Sequence, residues 1–153
     1  MILYKTDAEI ELMKKSARLV SETLTEVAKM LKPGVTTFQI DRLCAEFIRD
    51  HKAIPSFLNY RGYPFNSCIS VNDVVVHGFP NNDALKEGDI VSIDIGVILN
   101  EWHGDHAYTF AIGDPGEEPP VALDTSDTRA RLFGDTAQRS LARVSRHRRS
   151  VRR

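Results

Sequence analysis

This sequence is short of the features that announce several common protein classes. Two cysteines, Cys44 and Cys68, in 153 residues are too few for a disulfide framework or a cysteine-rich metal site, and they suit a reducing compartment. No stretch approaches the roughly 18 consecutive apolar residues of a membrane span, and residues 1–7, MILYKTD, lack the basic-then-apolar pattern of a secretory leader. A cytoplasmic location is therefore expected. Net charge is nearly absent too, at −1, but that balance comes from two unlike parts. Residues 1–120 hold 11 Lys+Arg against 18 Asp+Glu, a net of −7, whereas residues 121–153 hold nine Arg and three Asp, a net of +6, with no Lys and no Glu. A switch of that kind is abnormal within one domain. It predicts a body over residues 1–119 and an Arg-rich tail over 120–153, in which Leu123, Leu132, Phe133, Leu141, Val144 and Val151 follow no period and disorder is expected.

Over the whole chain, 42% apolar and 27% charged residues are the mix of a soluble globular protein. Thr6-Asp7-Ala8-Glu9 has the form of a capping box, in which the Thr hydroxyl and the Glu carboxylate satisfy each other's free backbone amides at a helix start. Ile10, Met13, Ala17, Val20, Leu24, Val27 and Leu31 then recur at steps of three and four, a single apolar stripe, until Pro33-Gly34 ends the helix. Thr36 to Gln39 repeats the capping pattern, and Ile40, Leu43, Cys44, Phe47 and Ile48 predict the buried face of a second, shorter helix that Pro55 bars from extending. Cys44 reads as a small core residue. Residues 55–64, PSFLNYRGYP, form a turn-rich loop with three aromatic rings. Rings there can pack on the core or wall a pocket, and a single Arg among them is thin support for nucleic-acid stacking.

Residues 67–110 carry chemistry that core packing alone does not explain. Asp94 interrupts the apolar, β-branched run Ile90-Val91-Ser92-Ile93-Asp94-Ile95-Gly96-Val97, where a bare carboxylate is a poor strand former and costly to bury. Asp105 follows a turn candidate at Asn100-Glu101, so residues 90–98 and 102–112 predict a β-hairpin. With a two-residue turn Leu99 faces Trp102 and Asp94 faces Ala107, which makes Asp94 and Asp105 diagonal neighbours on one face. Such neighbours lie roughly 7–8 Å apart at Cα, near enough to grip one or two cations. Val91, Ile93, Ile95 and Val97 go to the other face and the core. His77 ends the run Val74-Val75-Val76 before Gly78-Phe79-Pro80, which predicts a strand-end imidazole. Two same-face Asp and a His fit a metal-assisted hydrolase; a surface Asp, a satisfied Asp and a loop His fit the residues as well.

The phrases VNDVVVHGFP, LKEGDIVSIDIGV and WHGDHAYTF resemble type I methionine aminopeptidases in order and spacing. The likeness takes in FLNYRGYPFNSCIS and the helical lead, from Met1 to about Pro119. It implies an α/β (α+β) architecture, the N-terminal half of the pita-bread fold, with two helices on one face of an antiparallel sheet. It further implies that Asp94 and Asp105 are metal ligands, that His77 contacts the substrate, and that Tyr60, Tyr63 and Cys68 line the pocket for the methionine side chain. Backbone carbonyls near Asn72 and Val74 would hold a monovalent cation. The implied cofactors are divalent ions, with Co, Mn, Fe or Zn all acceptable to oxygen and imidazole ligands, and the implied partners are nascent peptides that begin with Met. The family's remaining ligands, a His in a Gly-His-Gly-like setting and two later Glu, find no counterpart in residues 120–153, which offer only His147 and no Glu. A truncated, inactive chain is therefore expected, with a shifted reading frame after about residue 119 as its suggested origin. The alternative is a non-catalytic binding protein that keeps half of the fold and touches the ribosome or another polyanion through its basic tail, without sequence-specific nucleic-acid recognition.

Overall fold

The computed structural model describes residues 4–113. The Arg-rich tail expected over residues 120–153 lies outside them. Helix α1 (Asp7–Met30) and helix α2 (Thr37–Asp50) both open on the capping boxes read from sequence. Four strands follow: β1 (Ile54–Pro55), β2 (Ser67–Val71), β3 (Ile90–Leu99) and β4 (Trp102–Ala111). All pairings are antiparallel. β4 takes one edge of β3 along its whole length, while β1 and β2 share the other edge, opposite residues 97–98 and 91–95. Leu99 faces Trp102 across a two-residue turn in which Asn100 (φ 50°) and Glu101 (φ 70°) are both left-handed. That twist matches the flanking strands, so the expected hairpin register holds.

The helices cover one face of the sheet. Val91, Ile93, Ile95 and Val97 are fully buried there beside Ile69, Val20, Leu24, Val27, Ile40, Cys44 and Ile48, and each such aliphatic side chain stabilises the fold by about 1.5–3 kcal/mol relative to exposure. The expected faces needed correction in two places. At the start of α1, Ile10, Met13 and Ala17 are exposed, and the helix instead buries Ser16, Leu19, Val20, Thr23, Leu24 and Val27. The cause is a close approach to β4: a Cβ on Gly104 would stand 2.5 Å from the Ser16 carbonyl carbon. Only small residues fit between the two backbones, and the Ser16 hydroxyl donates to the Trp102 carbonyl at 2.8 Å. In α2, Leu43 and Phe47 are half-buried, and Asp41 and Ala45 take the deep positions.

The valine run at residues 74–76 is not a strand. Asn72 adopts φ 53°, donates from Nδ2 to Asp89 and accepts from the Ile90 amide, and this bridge ends β2 at Val71 before the valines begin. Val74, Val75 and Val76 are 49%, 86% and 65% exposed. The chain then returns along the outer edge of β2, where the Ile69 amide donates to the Gly78 carbonyl at 2.9 Å. His77 therefore sits in a loop, not at a strand end.

Candidate metal centre

The sheet face turned away from the helices collects the polar side chains of the hairpin. Cys68, Asp94 and Ala107 form one row across β2, β3 and β4, and Gly96 stands opposite Asp105 in the next. This is the diagonal placement of the two acids expected from the turn length. A third row, Ser70–Ser92–Thr109, is tied by a 2.7 Å bond between the Ser92 and Thr109 hydroxyls. Beside the acids the face is closed by the loop after β1, because a Cβ on Gly96 would lie 2.0 Å from Ser56 Oγ and 2.6 Å from the Phe57 ring.

Half-burial pushes the Asp94 carboxyl up to about 6; the negative charge of Asp105 adds to the rise, His77 opposes it, and the two carboxyls are close enough to share a proton. Two acids held that near each other on a partly desolvated surface cannot both ionise freely. A hard divalent cation would relieve the repulsion, so this pair fits one end of such a site. Among the described residues, no three His, Cys, Asp or Glu side chains converge into a fuller metal shell.

Tyr63 and Cys68 join the acids. The Tyr63 hydroxyl reaches the Ser67 carbonyl at 2.9 Å and the Gly78 carbonyl at 3.1 Å, and its ring packs edge-on against Phe65 and Phe79. Burial raises its pKa far above the ordinary phenol value, as does the neighbouring Cys68. Desolvation also raises the Cys68 thiol, with Asp94 and Asp105 contributing, so both groups stay neutral at physiological pH. Tyr60 stands apart at the rim, 62% exposed with the Arg61 guanidinium over its ring. Asn72 and Val74 belong to the turn that closes β2, in which the Val74 amide donates to the Val71 carbonyl at 3.1 Å and the Asn72 side chain is bound to Asp89 and Ile90 rather than to the acids.

Two features went unread in the sequence. Asp41, 4% exposed, accepts from the Asn66 amide and side chain and from the Ser67 amide and hydroxyl at 2.8–3.0 Å, which anchors the start of β2 and hence Cys68 beside Asp94. Phe65 and Phe79 complete the ring cluster around Tyr63. The hint for Asp41 was its place beside Ile40 on the Ile40–Cys44–Ile48 stripe.

The family described as "Metallopeptidase family M24" matches residues 11–132. This chain belongs to metallopeptidase family M24. Among its relatives within M24, the methionine aminopeptidase of Clostridium perfringens is 49% identical over 118 residues, 77% of this chain and 47% of the relative. Methionine aminopeptidase 1 of Bacillus subtilis is 41% identical over 127 residues, 83% of this chain and 51% of the relative. The crystal structure of the Rickettsia prowazekii methionine aminopeptidase superposes with a TM-score of 0.74 at 45% identity, covering 74% of this chain and 46% of that one. The chain thus spans about half the length of the curated M24 relatives it matches. Its fold is the half of the pita-bread arrangement expected from the resemblance, with two helices on an antiparallel sheet.

Proposed function

We propose that this chain carries one half of the active site of a metal-dependent aminopeptidase that removes the initiator methionine from nascent proteins. The observation that carries the reading is the Asp94–Asp105 pair, set on an open sheet face with Cys68 and Tyr63 beside it. Asp94 and Asp105 would hold the divalent ion, Co, Mn, Fe or Zn. Such an ion polarises a peptide carbonyl and makes water more acidic. His77 would orient the scissile peptide from the side of Asp94. Tyr63 and Cys68, both uncharged, would wall the methionine side chain, whose thioether gains about 0.3–1.5 kcal/mol against an aromatic ring, with Tyr60 at the entrance. The carbonyls of Asn72 and Val74 would hold a monovalent cation at the end of β2.

No described helix is long and apolar enough to cross a membrane; with nascent chains as its substrate, the activity would belong to the cytoplasm. Among the described residues, two carboxylates leave a divalent ion short of ligands and the reaction short of a general base, which alone is commonly worth about 10²–10⁴-fold. The 153-residue chain by itself is therefore expected to release no methionine from Met-Ala-Ser with any of the four metals. The ribosome-binding alternative rests on the Arg-rich segment, and no described residue favours it. Calorimetric titration with Mn(II) or Co(II) tests the ligand assignment: weak binding should disappear in Asp94→Asn and in Asp105→Asn. Binding indifferent to both substitutions would remove the site from these residues, and turnover by the chain alone would overturn the expected inactivity.

A further inference from the structure

His77 is exposed, and its neighbours Val76 and Phe79 are exposed as well. Its backbone nevertheless adopts φ 56°, a left-handed conformation that residues with a Cβ avoid. The next residue explains how. The Gly78 amide donates to Ser70 Oγ at 3.1 Å, and the Gly78 carbonyl accepts from the Ile69 amide at 2.9 Å and from the Tyr63 hydroxyl at 3.1 Å. Gly78 also lies so close to β2 that a Cβ would stand 2.1 Å from the Ile69 carbonyl oxygen. Ser70 is 5% exposed, and its side chain rises from the same sheet face as Asp94.

We propose that Ser70 and the Tyr63 hydroxyl are positioning residues, which grip Gly78 by its amide and by its carbonyl, in the two peptide groups that flank its Cα, and so hold His77 in its left-handed backbone. The proposal deepens the functional reading above and rests on it for the role of His77. Ser70 thereby acquires a task other than filling a row of the sheet, and Tyr63 a second task besides walling the pocket. Its single hydroxyl proton is shared between the Ser67 and Gly78 carbonyls, which ties the start of β2 to the loop that carries the imidazole.

The test is NMR on the 153-residue chain. In Ser70→Ala the Gly78 amide should exchange about five- to tenfold faster, the ratio that one net hydrogen bond supports. The scalar couplings and Cα shift of His77 should leave their left-handed values in Ser70→Ala/Tyr63→Phe. Ser70→Thr, which keeps the hydroxyl, should restore both signals, whereas a merely space-filling role would not distinguish Thr from Ala in this way. Should the double variant unfold, Tyr63→Phe decides, because it keeps the ring packed on Phe65 and Phe79 and removes only the donor. Unchanged His77 couplings in a folded double variant, or in Tyr63→Phe when the double unfolds, would overturn the proposal, as would a Thr variant as disruptive as Ala. Failure of the functional reading looks different: His77→Ala would leave the binding shifts of a Met-Ala-Ser peptide untouched while the backbone signals of the other variants behaved as described.

Discussion

Replacing Asp41 by Ala should be the most damaging single polar substitution in the described body. Its carboxylate accepts four hydrogen bonds from Asn66 and Ser67, and Ser67 is fully buried, so water cannot take over there. Hydrogen bonds to a charged group are worth about 1.5–3 kcal/mol each, and a buried donor left unpaired costs about 1–3 kcal/mol. Asn66 is half-buried, and solvent recovers part of its two bonds. Counting mainly the Ser67 amide and hydroxyl gives a loss of about 3–4 kcal/mol, a large share of the 5–15 kcal/mol typical of a whole domain. In a urea titration with a slope of about 1.5 kcal/mol/M, the midpoint should fall by about 2 M. Asp41→Asn should lie in between, since its amide keeps one acceptor and turns the other into a donor facing donors. A shift below about 0.5 M for Asp41→Ala would mean that the start of β2 is held by something other than this carboxylate.

The remaining expectations concern other parts of the structure. Because the folded Asp94 carboxyl has a raised pKa of about 6 against 3.8, the native state binds its proton more tightly, so the associated stability is complete below about pH 4 and is lost as pH rises to about 6. One unit is worth about 1.4 kcal/mol, and half-exposure cuts the two-unit shift to about 1–1.5 kcal/mol. Chemical denaturation across that window should show the slope in the wild type and none in Asp94→Asn. Gly104→Ala drives a methyl into the Ser16 and Ala17 backbone and should cost about 2 kcal/mol, seen as a melting temperature lower by about 10 °C. Burial pushes the Cys44 thiol up to about 12, so at pH 8 a thiol reagent should modify it only at the rate of unfolding. Prompt labelling of Cys44 in the folded chain would contradict its place in the core.

What could be read from sequence was local. The two capping boxes and the two-residue gap between apolar alternations each involve residues a few positions apart, so spacing alone placed both helix starts and set Asp94 and Asp105 on one face. What could not be read was set at a distance. The valines at 74–76 have every mark of a strand, yet Asn72 bonds to Asp89 and Ile90 seventeen and eighteen residues away and ends the strand first. The burial of Ser16 depends on the absent side chain of Gly104, and counting apolar residues along a helix cannot register a hydroxyl packed against a backbone. Asp41 looked like a solvated helix carboxylate because its four partners come from residues 66 and 67.

The tight turn at Asn100-Glu101 makes the acid pair unusually dependent on chain length. Asp94 and Asp105 belong to one hairpin, whose contacts are short-range and can form within about 1–10 μs, ahead of the pairing with β2. Their common orientation is thus a property of counting, because side chains along a strand alternate strictly between faces. If one residue inserted between Leu99 and Trp102 were absorbed as a one-place slip of β4, Asp105 would rotate under α1 and His106 would come out in its place. The hydrolytic chemistry assigned to this face would then vanish without the loss of a single one of its residues.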